Sequence, residues 1–269
     1  MKTKCQEARD RNWILNHPSI EELLFIRDFY KSLSFNCILF LPVGTRGIVN
    51  YNSYLYESLS GTISSIYDIV KKGHLNDACI LLRAYFDTIL TVVYIDVIRN
   101  EQFDVFNNFV VKEVDEWLQA KYRIPSVRKL LSIIKSNDKT KDIYIIVNKD
   151  DKLKKFRDML DDCVHGNRYR FFLFNCSDIY VEQREQFLNK IHKILLSLFT
   201  FHLSMLFSYN PHYLMASDYR DSIDLGLSPE PGSEYWIAPF AQEAFDKYIK
   251  PNRELASYIY ENCSLEIKR

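Results

Sequence analysis

The sequence predicts a mostly α-helical bundle that ends in a loop-rich, partly helical C-terminal extension. Only seven glycines and eight prolines occur in 269 residues, which favours long elements joined by short loops. Apolar residues recur at intervals of three and four over several long stretches, the spacing of one helix face. After residue 210, proline, tyrosine and aspartate become frequent, which indicates loops.

The composition is that of a globular protein without a large basic surface. Hydrophobic residues make up 47% and charged residues 26% of the chain. Lys and Arg together number 35, as do Asp and Glu. The resulting formal net charge of zero argues against a broad footprint for duplex nucleic acid, whose phosphates dominate affinity. A local basic pocket for a single phosphate is compatible with this balance.

The cysteines and the apolar segments predict a cytoplasmic protein that does not enter a membrane. No C-x-x-C pair or His/Cys cluster has metal-ligand spacing, so we expect reduced thiols and neither a metal nor a cofactor. The charged residues 1–11 lack an apolar signal core. The most apolar stretch, residues 194–209, is shorter than the ~20 residues that a spanning helix needs. The cysteines are Cys5, Cys37, Cys79, Cys163, Cys176 and Cys263.

The first region, residues 1–50, predicts one helix followed by an irregular segment. Ser19 has the character of a helix N-cap, because acidic residues and then an apolar stripe follow it. The breaker-rich residues 41–47 form either a short strand with a turn or an irregular loop.

The second region begins with an antiparallel helical hairpin. Apolar positions follow one helix face over residues 54–72, and Gly73 ends that helix. Asn76 or Asp77 then caps a second helix that runs to about Arg99. The loop between them is so short that the two helices must be antiparallel.

Shorter patterns predict the rest of the bundle, which extends over residues 51–210. An amphipathic helix covers residues 103–122, and the β-branched residues 143–147 form either a strand or part of a helix. A helix over residues 150–164 stops at Gly166, the expected position of a C-terminal glycine. The remaining predicted helices cover residues 125–134, residues 181–209 (the longest of all) and, in the extension of residues 211–269, residues 239–249 and 253–260.

The helix that ends near Gly166 carries the first candidate site. Arg157, Asp161 and His165 follow each other at intervals of four and therefore share one helix face. Asp162 lies three residues before His165, within reach of a contact with it. A neighbouring carboxylate and a place in the last helical turn both stabilise imidazolium, which suits His165 to acid–base chemistry. Arg157 or Arg168 then holds a phosphate. The alternative is helix capping with ordinary surface ion pairing.

Arg83 and Asp87 form the second candidate, on the predicted hairpin. They lie four residues apart on a helix that is apolar on nearly every other face, so we expect a buried or half-buried ion pair. Either this pair fixes the register of the helix, or Arg83 projects into the same polar site as His165.

Two motifs together resemble the HEPN superfamily over about residues 50–210. They are G-H-x-x-D-A-x-x-L-x-R, from Gly73 to Arg83, and D-x-x-H-G-N, from Asp162 to Asn167. The sequence is most similar to branches found near prokaryotic abortive-infection and defence genes. The resemblance implies an all-α bundle, frequent homodimers and, in active members, metal-independent RNA cleavage by an Arg and a His four to six residues apart on one helix.

The expected function is therefore that of a ribonuclease effector in a prokaryotic defence or toxin system. His165 transfers protons, Arg157, Arg83 or Arg168 stabilises phosphate charge, and Asn167 orients the substrate or the histidine. RNA, a second copy of the chain and an antitoxin or other defence protein are the expected partners. Arg157 and His165 have seven residues between them, a spacing that favours a non-catalytic module for a nucleotide, RNA or protein unless Arg83 substitutes. A purely structural interaction protein is the third alternative.

Overall fold

A computed structural model describes residues 12–40, 43–46, 50–178, 181 and 183–269. The prediction of a mostly α-helical bundle is confirmed, because these residues form helices and isolated β-bridges but no strand. The α-helices are α1 (Asn12–Leu15), α2 (Ser19–Cys37), α3 (Tyr51–Lys72), α4 (Leu75–Gln102), α5 (Lys112–Leu118), α6 (Val127–Ser136), α7 (Lys141–Val147), α8 (Lys152–Val164), α9 (Tyr169–Leu173), α10 (Arg184–Tyr209), α11 (Asp218–Asp224), α12 (Pro239–Ala244) and α13 (Arg253–Asn262).

Some sequence predictions fall on residues outside this description. The charged residues 1–11, with Cys5, lie outside it, and so do residues 41, 42 and 47 of the breaker-rich patch. Within that patch, Gly44 forms an isolated parallel bridge with Val110.

The predicted hairpin of α3 and α4 is present, with a different cap from the one expected. Gly73 has a φ of +79°, and its N–H donates to the carbonyl of Val70, so glycine ends α3 as predicted. Helix α4 begins at Leu75, before both Asn76 and Asp77. The predicted local cap is therefore wrong: Oδ1 of Asn175 accepts the N–H groups of Asn76 at 3.0 Å and Asp77 at 3.1 Å.

The predicted helix over residues 103–122 is wrong in its first half. Oδ1 of Asp104 accepts the backbone N–H groups of Phe106 at 2.8 Å and Asn107 at 2.7 Å, and the chain turns there. This local side-chain bond competes with helix formation, so only Lys112–Leu118 is helical.

The structure also decides the alternative left open for residues 143–147, which belong to helix α7. The longest helix of the described chain is α4, with 28 residues against 26 in α10, contrary to prediction.

The chain divides into two compact units, each assembled from separate stretches. The first contains the described residues of Met1–Lys31 together with Glu57–Ile89 and Asn148–Phe199. Its core includes Tyr30, whose hydroxyl lies 2.8 Å from that of Tyr85. The candidate site belongs to this unit.

The second compact unit contains Ser32–Tyr56, Leu90–Val147 and Thr200–Arg269. Phe245 packs against Phe207 at a ring distance of 5.6 Å, which ties the C-terminal helices to α10 inside this unit. The regions predicted from the sequence, with boundaries after residues 50 and 210, follow a different division and stay a prediction.

Helices α4 and α10 are each long enough and apolar enough to cross a membrane by length and composition alone. The most apolar part of each is mostly packed inside the protein, 61% buried in α4 and 72% in α10. Core helices of globular proteins have the same character. A cytoplasmic location without membrane contact therefore stays a prediction.

Candidate functional site

Arg83 is the centre of an ion network that joins α4 to α8. Its Nε donates to Oδ1 of Asp161 at 2.6 Å, and its Nη1 pairs with Asp87 one turn further along α4. Arg157 reaches the other oxygen of Asp161 at 3.5 Å. Burial by itself lowers the pKa of Arg83, but the hydrogen bonds to Asp87 and Asp161 outweigh that effect and raise it.

The ion network limits the ability of Arg83 to bind a further anion. Its side chain is only 12% exposed, and two carboxylates compensate its charge. Its capacity for a phosphate is reduced, because Nε and Nη1 already face carboxylate oxygens. The structure thus contains the ion pair predicted for Arg83 and Asp87 and extends it to Asp161, one helical turn before His165.

His165 lies at the C-terminal end of α8, as predicted, in a turn that requires glycine. The N–H of Asn167 donates to the carbonyl of Asp162 at 3.2 Å, and that of Gly166 to Cys163 at 3.4 Å. This pair of bonds is the Schellman motif, with Gly166 at a φ of +59°. A Cβ atom at position 166 would lie 2.7 Å from Cζ of Phe172, so alanine there would require the exposed ring of Phe172 to move.

Asp162 forms no hydrogen bond or ion pair with His165 among the described residues. Oδ1 of Asp162 accepts from Nδ2 of Asn167 at 2.9 Å, and Oδ2 lies 3.3 Å from Nη2 of Arg168. Both oxygens are therefore directed at residues that follow the turn. The imidazole of His165 is exposed and has no hydrogen bond or ion pair with any residue that the structure describes. The carboxylate of Asp162 is thus engaged by Asn167 and Arg168, while the helix end still lies beside His165.

Basic and aromatic side chains alternate directly after His165. Tyr169 is 77% exposed and Phe172 is 58% exposed. Arg168 precedes Tyr169 in the sequence, Arg170 lies between Tyr169 and Phe172, and both arginines are exposed. We call His165, Arg168, Tyr169, Arg170 and Phe172 the His165 surface. Sequence analysis did not identify Tyr169, Arg170 and Phe172. The pattern that could have indicated them is the run of arginines and aromatic residues without an acidic residue.

A cleft of about 740 Å³ adjoins the His165 surface within the first compact unit. Helix α8 contributes Asp158 and Asp162 to its wall, and α10 contributes Lys190. Its other charged residues are Arg168 and Arg170, which also belong to the His165 surface. The apolar part of the wall is formed by Met159, Phe171, Phe174 and Phe187. We call this the α8–α10 cleft.

A second polar cluster lies buried in the other compact unit. Nη2 of Arg99 is 3.0 Å from Oδ1 of Asp96 and donates to Oδ1 of Asn210 at 2.5 Å. Asp96 and Arg99 are each only 4% exposed. Burial raises the pKa of Asp96, against the opposing effect of Arg99. Sequence analysis did not identify Asp96 and Arg99. They are opposite charges three residues apart on an apolar helix, and this pattern, which indicated Arg83 and Asp87, could have indicated them as well.

The described cysteines are free thiols. Cys79 and Cys163 are buried, as expected for small apolar residues inside helices, and their Sγ atoms lie 2.9 Å apart between α4 and α8. Among the described residues, no group of three or more His, Cys, Asp or Glu side chains is placed to hold a metal ion.

No protein-family model matches this chain, and no curated protein or solved structure does so either. The fold and the site define an all-helical protein whose candidate site lies at the C-terminal end of α8 and the start of α9. This architecture is compatible with a HEPN-like helical fold.

Proposed function

We propose that this protein is a helical module that recognises single-stranded RNA through the His165 surface. The observation that carries the proposal is the exposure of two aromatic rings, Tyr169 and Phe172, beside two exposed arginines. Aromatic faces stack on unpaired bases, and guanidinium groups bind phosphate oxygens. Two exposed rings and two guanidinium groups suit a few nucleotides of a single strand, in keeping with a net charge of zero.

The ion network supports binding in preference to catalysis. Arg83 and Arg157, two of the three expected phosphate stabilisers, both face Asp161. Arg83 therefore does not take over the phosphate-binding part that the long spacing between Arg157 and His165 leaves open. In this proposal the network fixes α8 against α4 and thereby positions the turn at His165.

A metal-independent ribonuclease is the second candidate, favoured by the exposed imidazole of His165. Of the three arginines expected to stabilise phosphate charge, Arg168 is the one that is largely exposed and lines the cleft, so it is the one suited to that role. His165 would transfer the proton at the 2′-hydroxyl or the leaving group, and Asn167 would hold the turn. As an effector of a prokaryotic defence or toxin system, such a protein would act as a homodimer with an antitoxin or other defence partner.

Binding is tested by fluorescence anisotropy with a labelled single-stranded hexaribonucleotide. Loss of one stacking ring costs about 1–3 kcal/mol, so Tyr169→Ala should weaken binding roughly 5- to 150-fold. Tyr54→Ala is the matched control, because Tyr54 is 69% exposed but lies on α3 in the other compact unit. Equal affinities for Tyr169→Ala and wild type would place the RNA elsewhere, and no binding by wild type would refute the proposal.

Catalysis is tested with the same RNA and with total cellular RNA in the presence of EDTA. The ribonuclease candidate predicts cleavage and growth arrest by wild type, and loss of both in His165→Ala. Binding without cleavage supports the non-catalytic module. Equal cleavage by wild type and His165→Ala would exclude His165 from the mechanism.

A further inference from the structure

We infer that the α8–α10 cleft holds one nucleotide unit of the bound strand and is matched to a single phosphodiester charge. The inference rests on the proposed RNA-binding function and adds to it a defined subsite with its own preference. Its volume of about 740 Å³ lies within the range of about 300–1,000 Å³ that small-molecule sites occupy.

The charges that line the cleft select the charge of the ligand. Among the described residues that line the cleft, three cations (Arg168, Arg170 and Lys190) and two carboxylates (Asp158 and Asp162) leave one net positive charge. Part of this set is already paired, since Arg168 lies 3.3 Å from Asp162 and Arg170 donates to Gln183. Lys190 has no hydrogen bond or ion pair with the residues that the structure describes, and it is exposed. Lys190 is therefore the cation most available to a phosphate.

The carboxylates set an upper limit on the negative charge that the cleft accepts. A phosphodiester carries one negative charge and is compensated by the net charge of the wall. A nucleoside triphosphate carries several negative charges. The charges that the wall does not compensate would lie close to the carboxylate of Asp158, which is exposed on the wall, and would be repelled by it. The cleft should therefore prefer an internal nucleotide of a strand to a free triphosphate.

The apolar wall provides a surface for the base. Phe174 stacks on Phe187 at a ring distance of 4.3 Å, and Phe171 lies 5.9 Å from Phe187. These rings are buried and stacked on one another, so they form a rigid apolar wall against which a base would pack without a free ring face for stacking. The cations that line the cleft would then hold its phosphate.

The cleft and the His165 surface are continuous, because both contain Arg168 and Arg170. Phe171 faces the cleft, while Tyr169 and Phe172 are exposed outside it. One strand would thus place one base against the cleft wall and neighbouring bases on the exposed rings.

The inference is tested by measuring hexaribonucleotide affinity as a function of salt for Lys190→Gln and for Lys155→Gln. Each substitution removes one positive charge. Lys155 is exposed on α8 but does not line the cleft, so Lys155→Gln is the control for a general effect of net charge. Lys190→Gln should weaken binding about tenfold and lower the log–log salt slope by about 0.7, the value for one phosphate contact on a single strand. Lys155→Gln should keep the affinity and slope of wild type.

Competition measures the charge preference directly. A dinucleoside monophosphate should displace the labelled strand better than inorganic phosphate or ATP, and Asp158→Asn should improve competition by ATP. The same competition with a deoxyribonucleotide strand distinguishes RNA from DNA as the source of the phosphodiester.

Three outcomes separate this inference from the proposed function. If Lys190→Gln equals wild type while Tyr169→Ala weakens binding, the cleft is not a subsite and the proposed function stands. If ATP competes better than the dinucleoside monophosphate, the charge match is wrong. If wild type does not bind the strand, the proposed function fails and the inference fails with it.

Discussion

Arg83 on α4 and Asp161 on α8 form a 2.6 Å hydrogen bond although 78 positions separate them in the sequence. Asp87 and Arg157 complete the charge balance around this bond. Because α8 ends one turn later at His165, the bond fixes the end of the helix on which the proposed binding surface depends. Arg83 is thus a positioning residue.

Arg83→Met should destabilise the protein and leave Asp161 and Asp87 without their shared partner. Hydrogen bonds to charged groups contribute about 1.5–3 kcal/mol, and we expect a loss in that range in urea unfolding. Arg83→Lys should recover part of it, because one charge returns without the planar fork. A variant that keeps full stability but loses RNA affinity would show instead that Arg83 contacts the ligand.

Gly166→Ala should destabilise the turn at His165 more than Gly226→Ala destabilises its own turn. Both glycines have a positive φ, +59° and +68°, where an L-residue costs about 1–2 kcal/mol. Only at position 166 does the new Cβ also meet a neighbour, Phe172, while nothing lies within 4 Å at position 226. Thermal unfolding measures the two costs, and RNA affinity should fall only in Gly166→Ala. Equal effects of both substitutions would refute a specific role for the Phe172 contact.

Stability should decrease as the pH falls below about 6.5, because His202 is buried. It is 1% exposed, and burial lowers its pKa from 6.5 to about 3. The folded-state pKa lies below the unfolded value, so the stabilising contribution is complete above pH ~6.5 and is lost progressively towards pH ~3. His202 alone should contribute a slope of about 1.4 kcal/mol per pH unit over this range.

The measurement is urea unfolding from pH 7.5 to 4.5 for wild type, His202→Gln and the double variant with His212→Gln. Burial also lowers the pKa of His212, to about 4. The pH dependence should therefore become shallower with each substitution. An unchanged slope in the double variant would show that other groups cause it.

Asn175→Ala should cost about 0.5–2 kcal/mol, the range for loss of a helix cap. Its Oδ1 accepts two N–H groups at the start of α4, and its Nδ2 donates to Asp77 at 2.7 Å. Asn252→Ala removes the cap of α13, where one N–H donates at 3.3 Å. Calorimetry should show the larger loss for Asn175→Ala. The reverse order would mean that the long-range cap is energetically minor.

The sequence predicts helices well where apolar spacing acts alone. The hairpin helices α3 and α4 were predicted with small errors at their ends, because helix periodicity is a property of near neighbours. Residues 103–111 were mispredicted because Asp104 accepts hydrogen bonds from nearby backbone N–H groups. The spacing of apolar residues contains no information about such bonds. Helix α8 begins at Lys152 because Asp150 and Asp151 both have a positive φ.

The candidate site was predictable only in its local parts. The pair Arg83–Asp87 and the glycine-dependent turn after His165 follow from spacings of a few residues. The partners Asp161 and Asn175 could not be assigned to α4, because their contacts depend on packing over long sequence separations. Tyr169 and Phe172 were missed for another reason: most aromatic residues fill cores, and composition does not show which of them reach the surface.

The long-range cap of α4 has a consequence for the order of events during synthesis. Asn175 emerges from the ribosome 98 positions after Asp77, about 5–20 s later at typical elongation rates. Through that interval the first N–H groups of α4 lack their native acceptor, and the first compact unit is incomplete because residues 175–199 have not emerged. We therefore expect α4 to fray at its start in nascent chains and to become fully ordered only when the segment after His165 has folded against it.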